Sequence, residues 1–446
     1  MKSEKNSSAF FASWLDFDSD KLFRHSLIVF FFTHAASAAN IFFQMVMGWN
    51  LSVAEYGVLC SMLGLLMVVA TPMTAVSNTL AHFAGNLIRE NRIGNVHALT
   101  RQWLNRILLV SVPLMALLVI LRHPLASFFH LASPWPLLLV GAALFLSVLA
   151  PVFGGVLQSM QKFVLLGFPG LASAFTRLLL GAALVLAVTP RAVSGLAAHA
   201  AGALCGTALI YFFYRRQMPI AAPTDGSNEK TDRYFWASAA ALFSFAVLMN
   251  MDVVLVKRYF TDPEDYGNYA RASTIARTLV FLVQPIAGAM FPKVVSRGGL
   301  NGEQQGTLFR ALALAGLIIG GAVFFCTFFP QIPLLILYRD FAPSPEMLSL
   351  VRLVCWAMAP LGLVFILMNF ELAQHRLACV FPLAACAAVF IGGIVLFHDS
   401  LRQVVQVFIS VSFLTLIMFV IMFLWKNRLS GKPMRKKDVV TLIILL

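Results

Sequence analysis

Polar side chains interrupt the long apolar stretches of this 446-residue chain at positions that share helical faces. Ser37, Asn40 and Gln44 follow each other at spacings of three and four residues, which places them on one face of a helix. The same kind of spacing recurs in the next apolar run, at Asn78 and His82. A polar group in hydrocarbon is costly unless it faces protein or water. The two stripes therefore indicate either hydrogen bonds between helices or the wall of a water-filled cavity.

The second half of the chain adds charged residues to its apolar runs. The polar positions of its first two runs are Asn250, Asp252, Arg271, Arg277 and Gln284. Arg277 and Gln284 lie seven residues apart and therefore share one helical face. Arg277 admits two interpretations, a cation that lines a cavity or one partner of a structural salt bridge. We favour the first.

Arginines within membrane spans are the strongest chemical signal in the sequence. Arg177 in the first half joins Arg271 and Arg277 in the second, and each arginine in hydrocarbon costs at least about 2.5 kcal/mol unless it meets an acid, water or a bound anion. Asp252 neutralises at most one of them. A guanidinium group suits phosphate or carboxylate, so the excess of cations predicts an anionic substrate. The candidate cavity residues are Arg277, Arg177, Arg271, Asp252, Asn250, Gln284, Asn40, Gln44, Asn78 and His82.

Composition identifies the elements that must position these residues. Sixty per cent of the chain is hydrophobic and 12% is charged, whereas an ordinary globular chain carries about 25% charge. A helix crosses roughly 30 Å of hydrocarbon with about 20 apolar residues, and an open strand edge is unsatisfied in lipid. The chain is therefore predicted to be an all-α polytopic membrane protein with about 12 transmembrane helices. They fall at about 26–48, 57–83, 104–122, 136–158, 164–188, 192–214, 234–256, 267–291, 308–329, 348–372, 377–398 and 402–425.

An internal repeat divides the chain into two halves. Residues 36–57 align without a gap on residues 246–267 at an offset of 210, and Phe168-Pro169 matches Phe381-Pro382 at an offset of 213. Each half holds an even number of spans, so both halves enter the membrane from the same side. We therefore predict two six-helix bundles related by a pseudo-two-fold axis along the membrane normal, which is the arrangement of some transporters with a site between repeats. The predicted divisions are a bundle at 1–214, a cytoplasmic linker at 215–233, a bundle at 234–425 and a basic cytoplasmic tail at 426–446.

Basic residues predict the topology. With a cytoplasmic N-terminus, most of the 33 Lys and Arg residues fall in cytoplasmic segments, as the positive-inside rule requires. Both termini are then cytoplasmic. The apolar end at 439–446 is too short to span, and it fits either an interfacial segment or the remnant of a further span.

Several functions are disfavoured by what the sequence lacks. Its basic residues are scattered over short loops, which disfavours nucleic-acid binding. The six cysteines lie in apolar runs without a CxxC pair, so we interpret them as packing residues and expect neither a metal nor a cofactor. The longest predicted outer loops, 257–266 and 330–347, hold no His/Asp/Glu constellation. We therefore do not expect an enzyme.

Three segments carry a resemblance to a known family. The runs 51–59, 250–270 and 154–163 resemble polysaccharide-biosynthesis membrane proteins, the oligosaccharide flippases of the multidrug/oligosaccharidyl-lipid/polysaccharide (MOP) exporter superfamily. The resemblance implies a MATE-like fold in which two bundles form a V that opens alternately to either side of the bacterial cytoplasmic membrane. It implies as substrate a polyprenyl-pyrophosphate-linked oligosaccharide whose pyrophosphate meets Arg277, Arg177 or Arg271. The implied partners are membrane lipids, a coupling ion (H⁺ or Na⁺) and polysaccharide-assembly enzymes.

Two other branches of that superfamily fit less well. Lipid II flippases typically have fourteen spans and a more basic first helix than this chain. Drug and cation antiporters usually rely on acidic residues in the N-terminal bundle, and the first six runs hold no Asp or Glu within hydrocarbon. A cation-coupled multidrug or small-molecule antiporter remains the alternative function.

Overall fold

The computed structural model describes residues 21–218, 232–295, 302–374 and 377–429, and within these residues it contains helices and no strand. The predicted all-α class is thereby confirmed. Most of the predicted linker, the basic tail and the apolar C-terminal end lie outside the described residues, so the predicted domain boundaries stay predictions.

The first half has nine α-helices within its described residues, 21–218. They are α1 (Lys21–Asn50), α2 (Val53–Ala70), α3 (Thr74–Arg89), α4 (Ile93–Ile120), α5 (Arg122–Phe128), α6 (Trp135–Ser147), α7 (Ala150–Ser159), α8 (Phe163–Ala187) and α9 (Ala192–Gln217).

In the described part of the second half, from residue 232 to residue 429 with two short gaps, there are seven α-helices. They are α10 (Asp232–Tyr259), α11 (Pro263–Val295), α12 (Gly302–Phe328), α13 (Gln331–Tyr338), α14 (Pro345–Ala373), α15 (Val380–Leu396) and α16 (Leu401–Leu429).

These helices account for the predicted spans. Among the described residues, nine helical segments are long and apolar enough to cross a membrane, with α2 and α3 together forming one of them. The other three predicted spans coincide with α1, α11 and the shorter apolar helix α15. The short helices α5 and α13 lie in predicted outer loops.

The two halves begin their second span in the same way. The Ser52 side chain accepts a hydrogen bond of 3.3 Å from the Glu55 backbone N–H at the start of α2. At the equivalent position of the repeat, the Asp262 carboxylate accepts one of 2.9 Å from the Glu264 N–H at the start of α11. Both side chains satisfy a backbone donor that the helix itself leaves unpaired.

The second spans then differ in shape. A 3₁₀ turn at Thr71–Met73 separates α2 from α3 at Pro72, because proline removes a helix hydrogen bond. Pro285 occupies the matching position of the repeat, yet α11 runs through it without a break. Of these two matching prolines, Pro72 interrupts its helix and Pro285 does not.

Each half forms a bundle, and the two bundles meet at the repeated segments 36–57 and 246–267. In the first bundle α8 packs on α1 and α9, while in the second α14 packs on α11 and α16. Between the bundles, α2 packs on α10 and α11. A Cβ atom added to Gly57 lies 2.9 Å from the Cα atom of Gly267, so these two equivalent glycines sit against each other at the predicted pseudo-two-fold axis.

Candidate functional site

The bundles are pressed together at their outer ends, meaning the ends that the sequence predicts to face away from the cytoplasm. The Tyr56 and Tyr338 rings meet edge to face with centroids 5.2 Å apart. The Tyr56 hydroxyl donates a 3.0 Å hydrogen bond to the Gln44 side-chain oxygen. The Tyr338 hydroxyl donates to the Arg271 carbonyl oxygen at 3.0 Å, and the Arg271 guanidinium carbon lies 5.1 Å from the centre of the Tyr338 ring. We call Gln44, Tyr56, Arg271 and Tyr338 the outer closure.

Glycines allow the backbones to approach in the same layer. A Cβ atom on Gly267 meets the Val53 backbone, with the carbonyl carbon 2.7 Å away, and one on Gly48 overlaps the Tyr338 ring. A Cβ atom on Gly57 lies 2.5 Å from the Tyr266 ring. Real Cβ atoms essentially never approach other atoms so closely. The outer contact therefore has no room for side chains at these positions.

The inner halves of the same helix faces are exposed. Gly267 and Thr274 of α11 pack on α2, with the Thr274 hydroxyl 3.5 Å from the Cys60 sulfur. Two to four turns further along α11, Phe281, Gln284 and Gly288 are exposed. The face of α11 that touches the first bundle at its outer end is thus uncovered at its inner end.

Polar residues on α1 and α3 are exposed in the same way. Thr74, Asn78 and His82 of α3 are exposed, as is Ser37 of α1. A stripe of exposed polar residues indicates water rather than lipid, because lipid-facing positions favour apolar side chains. From this exposure we infer a space between these stripes and the inner half of α11, bounded at one end by the outer closure, and we call it the cleft.

A buried ion pair corrects the preferred interpretation of Arg277. Its Nη2 atom donates a 2.7 Å hydrogen bond to Asp252 Oδ1, and its Nε atom donates to the Met249 carbonyl oxygen at 3.0 Å. Ser273 Oγ and the Tyr269 hydroxyl donate to the other Asp252 oxygen at 2.7 and 3.3 Å. Asp252 is 0% exposed and Arg277 is 9% exposed. In this conformation Arg277 is the partner of a salt bridge inside the second bundle, and not a free cation that lines the cleft; its role in substrate binding stays a prediction.

The other predicted polar residues fall in three places. Asn78, His82 and Gln284 lie on the cleft. Gln44 and Arg271 belong to the outer closure, while Asn250 uses its amide to donate a 3.0 Å hydrogen bond to the Ala246 carbonyl oxygen.

Arg177 and Asn40 belong to neither the cleft nor the closure. Arg177 of α8 reaches His199 of α9, and the Arg177 Nη1 and His199 Nε2 atoms are 2.9 Å apart. The Oδ1 atom of Asn40 is buried without a hydrogen-bond partner. The structure therefore places Arg177 inside the first bundle, between α8 and α9, and buries the side-chain oxygen of Asn40 on α1.

Several residues of these networks were not predicted from the sequence, among them Ser273 and Tyr269 on Asp252. Tyr56 belongs to a Tyr-Gly pair that recurs at Tyr266-Gly267. The pair lies in the segments that carry the family resemblance, but it predicted no role for the Tyr56 ring. Tyr338 ends α13 in an outer loop, and His199 is a lone histidine in an apolar run, so only their contacts reveal them. Of these residues, His199 carried a signal in the sequence, because a histidine within a membrane span is costly.

Acidic side chains surround the outer ends of the bundles. Glu55 accepts a 2.7 Å hydrogen bond from the Ala192 N–H at the start of α9. Its repeat counterpart Asp265 has a carboxyl pKa that is raised by partial burial and by the neighbouring Asp262 and Glu264 carboxylates. Within the described ranges, no group of three or more His, Cys, Asp or Glu side chains forms a metal site.

Comparison with solved structures shows which proteins share this fold. A multidrug resistance MATE family transporter of the MOP superfamily in an inward-facing conformation superposes with a TM-score of 0.70 at 12% identity, covering 89% of this chain and 95% of that one. The MATE multidrug transporter DinF-BH gives 0.69 at 14% identity, with coverage of 92% and 96%. The chain has the fold of the MOP transporters.

Further matches refine this finding. The lipid II flippase MurJ in an inward closed conformation superposes with a TM-score of 0.63 at 12% identity, covering 94% of this chain and 97% of that one. An outward-facing MATE family transporter also gives 0.63, below the 0.70 of the inward-facing one, which agrees with a cleft closed at its outer end. No family model matches the sequence, and no curated protein matches it.

Proposed function

We propose that this protein is a flippase that moves a polyprenyl-pyrophosphate-linked oligosaccharide across the bacterial cytoplasmic membrane. The observation that carries the proposal is the chemistry of the cleft. Between the helix ends, the described spans hold two carboxylates, Asp252 and Glu371, and both are buried. A cleft without an exposed acid disfavours a cationic cargo and favours an anionic one, because opposite charges attract and like charges repel.

Arg271 is the residue that we assign to the pyrophosphate. It lies at the closed end of the cleft, and its Nε atom is buried without a hydrogen-bond partner. Among the described residues no carboxylate lies within 4.0 Å of it. A partly buried guanidinium that lacks an acid gains most from an anionic ligand.

The same position links binding to the movement of the bundles. Arg271 holds Tyr338 of the outer closure through its carbonyl oxygen and its guanidinium. A pyrophosphate that draws the guanidinium away from the ring weakens the closure, so substrate binding favours outward opening. This differential interaction with two states is what alternating access requires.

The rest of the cleft suits sugar hydroxyls. Asn78 and Gln284 carry amides that both donate and accept hydrogen bonds, and His82 adds a ring nitrogen near the cytoplasmic end of α3. Cytoplasmic termini, a coupling ion (H⁺ or Na⁺) and polysaccharide-assembly enzymes as partners remain parts of the proposal.

Arg271→Gln tests this assignment. A charge-assisted hydrogen bond contributes about 1.5–3 kcal/mol, so we expect translocation of a fluorescent polyprenyl-pyrophosphate oligosaccharide in proteoliposomes to fall about 10-fold or more. Arg402→Gln is the matched control, because Arg402 is an exposed arginine near the start of α16, and it should retain the wild-type rate. Equal translocation rates for the two variants would show that Arg271 does not bind the pyrophosphate.

A further inference from the structure

Two short helices, α5 and α13, occupy equivalent places in the repeat. The repeat offset of 210 carries the bounds of α5 to 332–338, which fall within α13. The chain leaves each of them through a non-glycine residue with a positive φ, which is 49° at His130 after α5 and 54° at Arg339 after α13. The two helices therefore share a backbone shape as well as a position in the repeat.

Each short helix reaches across to the other bundle. The Phe128 ring of α5 lies under the Arg258 guanidinium of α10, whose central carbon is 4.4 Å from the ring centre. A Cβ atom on Gly48 of α1 lies 2.6 Å from the Tyr338 ring of α13. The two pairs are related by the offset of 210 at both members. The same contact, between a short helix and the first helix of the opposite bundle, is thus made twice.

A hydrogen bond to a backbone oxygen accompanies each contact. The Trp49 Nε1–H of α1 donates to the Ile336 carbonyl oxygen of α13 at 3.0 Å. The Lys257 ammonium of α10 donates to the His130 carbonyl oxygen, just after α5, at 3.4 Å. Trp49 and Lys257 both lie in the last turn of their helices. The outer end of each first helix therefore holds the short helix of the other bundle.

The cations at these contacts lie on aromatic rings. The Arg339 guanidinium carbon is 4.2 Å from the centre of the Trp49 ring, and the Lys257 Nζ atom is 3.8 Å from the centre of the Tyr266 ring. Among the described residues, no carboxylate lies within 4.0 Å of Lys257, Arg258 or Arg339. Separating a cation from a ring at an exposed site costs less than breaking a buried ion pair. Such contacts suit an interface that opens and closes repeatedly.

We propose that α5 and α13 are two reciprocal straps, which hold the outer ends of the bundles together and release when the protein opens outward. Each strap belongs to one bundle by its chain connections and is held by the first helix of the other. Both straps therefore stabilise the same closed arrangement, and the effects of weakening them on its population multiply. The straps act on the movement of the bundles and not on the cargo, so this inference goes beyond the proposed substrate.

Labelling of Cys60 in the full-length protein tests the straps. Cys60 lies just beneath the outer closure, and the other five cysteines are replaced. In right-side-out membrane vesicles, a membrane-impermeant maleimide should label Cys60 about 5-fold faster in Arg258→Gln, which weakens the α5 strap, and in Arg339→Gln, which weakens the α13 strap. Arg402→Gln, at an exposed arginine near the start of α16, is the matched control and should label at the background rate.

Two further variants distinguish a pair of straps from unrelated surface effects. Arg339→Lys keeps a cation for the Trp49 ring and should label as slowly as the background. Arg258→Gln combined with Arg339→Gln should label about 25-fold faster, which is the product of the single effects. Unchanged labelling in both single variants, a double variant no faster than the faster single one, or fast labelling in Arg339→Lys would overturn the proposal. No transported substrate enters the measurement, so its outcome is independent of the proposed flippase activity.

Discussion

Gly267→Ala is expected to abolish most translocation while leaving the two bundles folded. Its Cβ atom meets the Val53 backbone, which a side-chain rotation does not relieve. Overpacking in a closed contact costs about 1–3 kcal/mol, and each 1.4 kcal/mol changes a population about tenfold. The closed arrangement at the outer end should therefore become about 5- to 150-fold less populated, and a transporter that no longer closes on that side cannot complete its cycle.

Cys60 reports on this closure directly. It is buried beside Thr274, just beneath the outer closure. With the other five cysteines of the chain replaced, a membrane-impermeant maleimide applied from outside should label Cys60 faster in Gly267→Ala than in the unmodified background. Gly288→Ala is the control on the same helix, because a Cβ atom there meets nothing within 4 Å. Unchanged labelling and unchanged transport in Gly267→Ala would show that the Gly57–Gly267 contact does not close the cleft.

Asp252→Asn should destabilise the second bundle more than any other single polar change that we consider. It leaves the 9% exposed Arg277 without its counter-charge. Breaking a buried ion pair by removing one partner costs about 3–5 kcal/mol. We expect a correspondingly lower unfolding free energy in detergent, measured by denaturant titration.

A double variant separates the ion pair from general damage at the site. Asp252→Asn with Arg277→Gln removes both charges, so it should be more stable than Asp252→Asn alone. Asp399→Asn, at an exposed loop position between α15 and α16, is the matched control and should be neutral. If Asp252→Asn costs no more than Asp399→Asn, the pair does not hold α10 to α11.

Much of the fold could be predicted because the lengths of the apolar runs and the internal repeat can be read directly from the sequence. Each predicted span has a helix, since lipid leaves helices as the simplest way to satisfy the backbone. The equal and even numbers of spans in the two halves predicted that the repeat axis runs along the membrane normal. Gly57 and Gly267 lie against each other at this predicted axis. The different effects of Pro72 and Pro285 were not predictable, because proline in a membrane helix bends or breaks it according to its neighbours.

Partners across helices could not be predicted. Arg277 and Asp252 are 25 residues apart and Tyr338 and Tyr56 are 282 apart, so no helical spacing connects them. Asn40 and Gln44 share a face only approximately, since four residues turn a helix by slightly more than a full turn. In the structure Gln44 belongs to the outer closure, whereas the Asn40 oxygen is buried without a partner.

Transport by purified protein in liposomes distinguishes a glycolipid flippase from a dye exporter. The liposomes carry a fluorescent polyprenyl-pyrophosphate oligosaccharide in one leaflet and a cationic dye in the lumen, and movement of each is followed in the same preparation. We predict that the glycolipid changes leaflet, that Arg271→Gln slows this movement and that the dye stays in the lumen. Movement of the dye without movement of the glycolipid would contradict the proposed function and favour a multidrug antiporter.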